Sequence, residues 1–477
     1  MGTKGPQQKD LWVPYTVSSG PKHLFYERLN DLLDRHRVDQ QIEALCAPYF
    51  APDDYPGRRS APPGLYFRML LIGYFEGIES ERGICWRCED SLSLRAFLGV
   101  SGGQKTPDHS TLSRFRTRLP EEVFRGVFDV ILGVVNAEGL LRGKAQGVDS
   151  TYLQADASMK SIVNRDGEKY PEYIKKLAKA AGEVNPTAAD SQRLDRKRKK
   201  KTSNDDWASP TDPDSRIARL KDGRTRLAYK AENVVDMDTG AILAAEIYPA
   251  NKGDTATIVT SVEQAKENIK TAQDGQSTDE KGPDDPAPPA ASGSTSKTEI
   301  YADKGYNSAK VLTELHDKDY RTYLPEPKRR GRRRLDKYPA HDRKVIEQNN
   351  ARVLRRKSKK RHRQRGEVVE RIFAHICNTG AARTLVLTGH VNVTKKWQTH
   401  AAAYNLGLVM RKYLGAGKPR AWAQVPGWAL LAPFLLVLGR LGHGARLLLQ
   451  MTYNAFSSDA IGYNTIDNKE LIWETAC

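Results

Sequence analysis

Cysteine is scarce: the chain of 477 residues holds five, at positions 46, 85, 88, 377 and 477. An odd handful in a chain of this length excludes a disulfide scaffold. Cys85 and Cys88 form a single CxxC, but no second CxxC or HxxxH follows at a spacing that completes a zinc site. The pair reads as two half-buried thiols on a helix. No GxSxG is present, which removes the hydrolase nucleophile elbow. GVSGGQKT (99–106) approaches a phosphate loop, yet Gln104 stands where the second glycine is required, and the apolar run LSLRAFL precedes it where a strand should be. Triphosphate binding is excluded on that ground. The first ten residues, MGTKGPQQKD, lack the apolar stretch of a secretion signal. Residues 421–439 carry no charge, but Pro426, Pro433 and Gln424 interrupt them and Arg440, His443 and Arg446 follow. A packed or partner-binding tail is expected there, not a membrane span. The expected location is the reducing cytoplasm, in association with the nucleoid.

Acidic charge is the minority. Lys and Arg number 76 against 58 Asp and Glu, a formal net charge of +18. A field of that sign gathers polyanions, nucleic acid first among them.

Residues 1–140 read as helical. An apolar run with Leu65, Met69, Leu70, Ile72 and Tyr74 follows the helix-start signal Pro62-Pro63. Residues 81–98 and 121–138 continue the pattern. Between them, TPDHSTLSRFRTRLP predicts a short helix over 109–119, capped by Asp108 and stopped before Pro120. Arg114 and Arg118 are one turn apart on it and share a face that suits a DNA groove.

From Lys144 the periodicity changes. GKAQGVDSTYLQAD alternates as a strand. Residues 226–237 and 241–248 form a hairpin through Asp238-Thr239-Gly240. A helix over 254–269, a strand over 298–302, a helix over 308–315, a strand over 321–325 and a helix over 367–377 follow. That order is the order of an RNase H-like α/β core. The expected fold is α/β: an RNase H-like mixed sheet flanked by helices, preceded by an all-helical N-terminal domain. The expected domains are a helical DNA-binding domain (1–140), the catalytic domain (141–415) and a hydrophobic tail (416–477). Two insertions interrupt the core. Residues 182–215 are basic and polar, and residues 271–298 are too poor in large apolar side chains to offset ordering entropy.

Three acids stand where such a core brings elements together. Asp149 lies mid-strand in GVDST, where burying a carboxylate is costly unless it binds something. Asp303 ends the strand IYADKGY, and strand ends of α/β sheets gather ligands. Glu370 lies in the helical run EVVERIFAHI, with Glu367 as its rival one turn earlier. Asp254 in NKGDT is a fourth acid, read first as a helix cap. Phosphodiester transfer needs an activated attacking oxygen and a stabilised leaving oxygen. Two divalent ions about 3.5–4 Å apart supply both when carboxylates hold them. Basic tracts flank the acids: KRRGRRR (328–334), RVLRRKSKKRHRQR (352–365) and RLDRKRKKK (193–201). From them Lys197, Arg198, Arg329, Arg330, Arg355, Arg356, Lys359, Lys360, Arg361 and Arg365 are expected, with Arg114 and Arg118, to contact DNA phosphates, which position without reading sequence.

The segments GVDSTYLQADAS, DGRTRLAYKAENVVDMDTGAI…YPANKGDT, YADKGYNS and RQRGEVVERIFAHICNTGAARTLVLTGHVNV resemble the successive signatures of DDE-type bacterial insertion-sequence transposases. The resemblance spans roughly residues 62–412. It implies Asp149, Asp303 and Glu370 as the catalytic and metal-binding triad. It further implies Mg²⁺ or Mn²⁺ as cofactor, with two ions, and double-stranded DNA as partner, bound by a homodimer or larger assembly. Arg365 fits the family's upstream basic position; the downstream one falls on Cys377. The alternatives are a decayed transposase that binds DNA without cutting it, and a nuclease that cuts without joining.

Overall fold

Asp108 fixes the start of the helix that was expected to bear Arg114 and Arg118. Its Oδ1 accepts the Thr111 N–H at 2.8 Å and the Ser110 hydroxyl at 2.9 Å. These bonds, the Thr111 amide first, lower its pKa to about 2. In the computed structural model, which describes residues 23–50, 60–100, 104–164, 166–182, 185–197, 203–220, 222–274, 297–327 and 334–419, this helix is the sixth of seven before the first strand. They are α1 (Leu24–Arg35), α2 (Val38–Cys46), α3 (Pro63–Glu76), α4 (Glu81–Asp90), α5 (Leu92–Phe97), α6 (His109–Arg118) and α7 (Glu121–Ala137). The continuous helix expected over 81–98 is divided, because Ser91 ends α4 and its side chain accepts the Leu94 N–H to cap α5.

The remaining elements run β1 (Ala145–Gln154), β2 (Val163–Asn164), α8 (Tyr170–Ala180), α9 (Ala188–Lys197), β3 (Trp207–Ala208), β4 (Arg216–Arg219), β5 (Thr225–Asp236), β6 (Ile242–Pro249), α10 (Asp254–Asp274), β7 (Glu299–Tyr301), α11 (Ala309–Asp317), β8 (Arg321–Tyr323), α12 (Ala340–Val353), α13 (Arg356–Asn378) and α14 (His390–Leu414). The main sheet has the order β4-β5-β1-β7-β8, with β6 also paired to β5. β4 takes residues 225–228 of β5 and β6 takes residues 229–235, so both lie along one edge. β1 is antiparallel to β5 and parallel to β7, and β8 is parallel to β7. The protein is therefore a mixed α/β fold of RNase H-like type with a helical N-terminal region.

Alternation assigns the two faces of the sheet. Val148, Val234 and Ile300 pack with α10, α11 and α12 through Ile258, Val262, Leu312 and Ile346. On the other face Tyr229, Ala231 and Val235 join a core with Val369, Ile372 and Trp397. That second core continues without a break into α1–α7. Helical region and sheet thus share one compact unit, to which residues 220–224 do not belong. Leu220 N–H donates to the Arg224 carbonyl at 2.8 Å.

The stretch over 182–215 is more than a loose basic arm. It holds α9 and β3, and its Asp212 is fully buried, accepting the Tyr229 hydroxyl at 2.7 Å. Most of 271–298 and nearly all of 416–477 lie outside the described residues. No helix among the described residues is long and apolar enough to cross a membrane.

α7 is tied to the sheet by Arg125, whose two terminal nitrogens reach the two Glu246 oxygens at 2.7 and 2.8 Å. One turn on, burial pushes Asp129 up to about 7; Arg125 opposes the shift, and Glu267 and Glu246 add to it. A carboxyl raised this way contributes stability that is complete below its unfolded value and is lost as pH climbs through about 7. Asp129→Asn should therefore raise the melting temperature by several degrees at pH 8 and by much less at pH 5. Calorimetry at the two pH values checks this; equal gains at both would show that the titration has no part in it.

Candidate active site

The site is built where α13 meets β1. A Cβ on Gly147 would lie 3.1 Å from Arg365 Cγ and 3.2 Å from Val369 Cγ2, so glycine lets the helix settle directly on the strand. Two residues on, alternation puts Asp149 on that same face. Its Oδ2 accepts from Arg365 Nη1 at 3.1 Å, and its Oδ1 from the Ser150 N–H at 2.8 Å. Arg365 also donates to the Val148 carbonyl at 3.3 Å, so one guanidinium braces the helix to the strand.

β7 brings the second acid alongside. Gly147 pairs with Tyr301 in the parallel ladder. Asp149, on β1, and Asp303, just past the end of β7, each stand two residues beyond that pair. Asp303 is exposed and turns the chain into a 3₁₀ segment, its Oδ1 accepting the Lys304 N–H at 2.8 Å.

The phase of α13 separates the two glutamates. Val369 is fully buried against Gly147. At 3.6 residues per turn, Glu370 lies about 100° round from Val369, at the margin of the packed face, and Glu367 about 160° round, on the side away from the sheet. Glu370 is exposed and has no ion pair or hydrogen bond among the described residues. The three carboxylates do not crowd one point. Among the described residues the only trio of His, Cys, Asp or Glu whose ligand atoms all lie within 4.8 Å of one another is His316, Asp317 and His341, carried by α11 and α12.

His362, one turn before Arg365, was not singled out from the sequence. Its ring meets Tyr301 edge-on at 5.5 Å. Burial and then Arg365 lower its pKa, with Asp303 opposing. Only its place in a basic run hinted at it.

Behind β1 lies a buried charged cluster that the sequence also concealed. Lys230 Nζ stands 2.7 Å from Asp254 Oδ1 and 3.1 Å from Glu232 Oε2. Glu232 further accepts from Thr257, Ser261 and Tyr306 at 2.8, 2.7 and 3.0 Å. Desolvation raises the Glu232 pKa, and Lys230 opposes that shift. The Ser150 hydroxyl donates to Asp254 at 3.3 Å, linking the cluster to the residue beside Asp149. Asp254 thus opens α10 but spends its carboxylate on Lys230 and Ser150, where a helix cap was expected. Gly305 is required on this side, since a Cβ there would come within 2.7 Å of Asp254 Oδ2.

The expected DNA contacts divide into three groups. Arg114, Arg118, Lys197, Arg355, Arg356, Lys359 and Lys360 are exposed. On α6, Arg114 holds Ser110 at 2.8 Å and Arg118 lies over the Phe50 ring at 5.0 Å. Arg361 and Arg365 are instead engaged within the protein, Arg361 with Asp238 at 2.7 Å and Arg365 with Asp149. Arg198, Arg329 and Arg330 lie outside the described residues. The basic tract is continuous with the catalytic-helix candidate: α13 begins at Arg356, well before the helix expected from 367.

Two family models match the chain. One, described as a transposase DDE domain, takes in residues 187–406, including Asp303 and Glu370. The other, described as a transposase domain (DUF772), takes in residues 17–118. Asp149 lies between the two matched segments. No curated protein and no solved structure matches significantly.

Removing one partner of a buried ion pair leaves an uncompensated charge, at a cost of about 3–5 kcal/mol. Lys230→Met should destabilise the fold by about that much, and adding Glu232→Gln should recover a large part of it. Denaturant unfolding of both variants measures this; a double variant no better than the single would show that the pair is not coupled.

Proposed function

The chain belongs to the DDE-type insertion-sequence transposases, and from that premise we propose that it binds the terminal inverted repeats of its element and catalyses metal-dependent DNA cleavage and strand transfer. What supports this reading is the parallel pairing of Gly147 with Tyr301, two residues before Asp149 and Asp303 respectively, with the helix of Glu370 seated on Gly147.

The donor set suits hard divalent cations, which take carboxylate oxygens and keep several waters. Asp149 Oδ2 already holds a cationic group, the Arg365 guanidinium. Asp303 is exposed, and Glu370 stands at the rim. Two ions about 3.5–4 Å apart, each about 2.1 Å from its oxygens, allow the outermost ligands to be about 8 Å apart. A trio wider than 4.8 Å is therefore compatible with a two-ion site. Asp149 and Asp303 would hold the ions, and Glu370 would complete the second. When bound, Mg²⁺ or Mn²⁺ supplies an activated oxygen nucleophile and neutralises charge on the leaving oxygen.

The protein's own part is positioning. Arg365 orients Asp149 and fixes the register of α13 on β1. The exposed Arg355, Arg356, Lys359 and Lys360 on α13 attract phosphate toward acids that would otherwise repel it. The face of α6 bearing Arg114 and Arg118 supplies a second contact, of the kind a capped helix makes in a major groove. Holding two DNA ends calls for a homodimer or larger assembly, acting in the cytoplasm on the nucleoid. Cys377, at the position where the family has a basic residue, favours one second reading: a protein that binds DNA and no longer cuts it.

A labelled end fragment with Mg²⁺ or Mn²⁺ tests the proposal. Asp149→Ala, Asp303→Ala and Glu370→Ala should each lower cleavage by about a thousandfold, equivalent to about 4 kcal/mol, with DNA affinity nearly unchanged. Glu367→Ala should cut like the parent. Cleavage by Asp149→Ala at the parental rate would overturn the assignment, and DNA binding by a parent that never cuts would favour the second reading. Separately, Lys359→Ala combined with Lys360→Ala should reduce the slope of log affinity against log salt by about 2. An unchanged slope would remove this face of α13 from the DNA contact.

A further inference from the structure

The last turn of α11 and the first turn of α12 bring together three metal-ligating side chains, none of them a candidate catalytic acid. Asp317 Oδ1 lies 3.0 Å from His341 Nε2 and 3.4 Å from His316 Nδ1. One ligand atom from each of the three residues lies within 4.8 Å of the other two. The imidazole rings meet edge-on, with centroids 5.6 Å apart. Atoms about 2.1 Å from one ion stand about 3.4 Å apart at tetrahedral angles and about 3.0 Å apart at right angles. The carboxylate oxygen therefore already stands from each imidazole at the spacing of two ligands on one ion. As a hydrogen bond, the 3.4 Å contact lies beyond the ordinary N–H···O range.

The backbone holds these side chains in place. α11 closes with the Asp319 N–H donating to the His316 carbonyl at 3.0 Å and the Tyr320 N–H to the Leu315 carbonyl at 2.9 Å, Asp319 being left-handed at φ 69°. That paired closure fixes the helix end that carries His316 and Asp317. Leu312 and Leu315 of α11 share a hydrophobic core with Val345 and Ile346 of α12, so the two helices are joined beneath the trio. No ammonium or guanidinium pairs with Asp317 among the described residues: Lys318, next to it, is paired with Glu263 at 3.2 Å. Asp317 and His341 are each more than half exposed and His316 about one third, so an ion can reach the ligand atoms from solvent.

We propose that His316, Asp317 and His341 bind a divalent transition ion of the class of Zn²⁺, Co²⁺ or Ni²⁺, which ties α11 to α12. Two imidazoles and one carboxylate suit such ions, whereas Mg²⁺ takes oxygen ligands, so this site differs in kind from the carboxylate site. Water completes the coordination, as where three protein ligands hold zinc. α12 leads through Leu354 and Arg355 into α13, so the ion braces the entry to the helix that carries Glu370.

Titration calorimetry of the full chain with Zn²⁺, in buffer with excess Mg²⁺, tests the proposal. The parent should bind one Zn²⁺ that His316→Gln and His341→Gln each bind at least tenfold more weakly. Thermal melts give a second measure. Zn²⁺ should raise the melting temperature of the parent more than that of either variant. Without Zn²⁺ the variants should melt with the parent, because the replaced rings lie at the surface; this separates a lost ligand from a lost fold. Zn²⁺ titrations of the parent and both variants that superimpose, whether they show binding elsewhere or none, would overturn the proposal. None of these measurements uses DNA or cleavage, so an inactive parent enzyme would leave their outcome unaffected.

Discussion

Everything around the candidate site depends on how closely α13 approaches β1. Gly147 has no side chain, so Arg365 and Val369 come within contact of the strand backbone, and Arg365 can grip both the Val148 carbonyl and the Asp149 carboxylate. With that helix seated, Glu370 is carried to the margin of the packed face and Glu367 is turned outward. A larger residue at 147 would push the helix away, and the position of the third acid would go with it. The N-terminal half of α13 is held independently: Arg361 pairs with Asp238, and Gln364 donates to the Met237 carbonyl at 2.8 Å. The β5–β6 hairpin thus clamps one end of the helix, and the β1 contact fixes the middle.

The other face of β1 meets a different requirement. Lys230, Glu232 and Asp254 form a charged cluster in which Lys230 and Glu232 are almost wholly buried. Its hydrogen bonds reach α10 through Thr257 and Ser261 and the segment after Asp303 through Tyr306. Buried ion pairs of this kind contribute little net stability. What this one does is join β5, α10 and the chain following the second acid into one hydrogen-bonded unit. The two aspartates therefore project from a stiff support.

Much of this was legible in the sequence because the periodicities are clean. The alternation over 143–156 and the hairpin through Asp238-Thr239-Gly240 gave the sheet its central strands, and Asp108 before an apolar-periodic run gave α6. Other parts were not legible for physical reasons. The Lys/Arg run before residue 367 reads as a solvated tract, yet Lys and Arg are good helix formers, and the run folds as the first half of α13. Lys230 and Glu232 lie on a strand whose alternation would normally send such residues to solvent; helices cover both faces of the sheet, so they meet each other in the interior instead. Arg361 and Arg365 looked like phosphate contacts because a pairing across more than a hundred positions leaves no local signal. The acids were singled out by Asp149 lying mid-strand, Asp303 at a strand end and Glu370 in a helical run, and by the family resemblance.

The central claim is that Asp149, Asp303 and Glu370 hold divalent ions jointly. Substituting Fe²⁺ for Mg²⁺ and adding ascorbate and peroxide cuts a polypeptide next to wherever the ion sits, and sequencing the fragments locates it. Cuts clustered within a few residues of 149, 303 and 370 together are the expected result. Cuts confined to the His316, Asp317 and His341 trio, or spread without pattern, would contradict it.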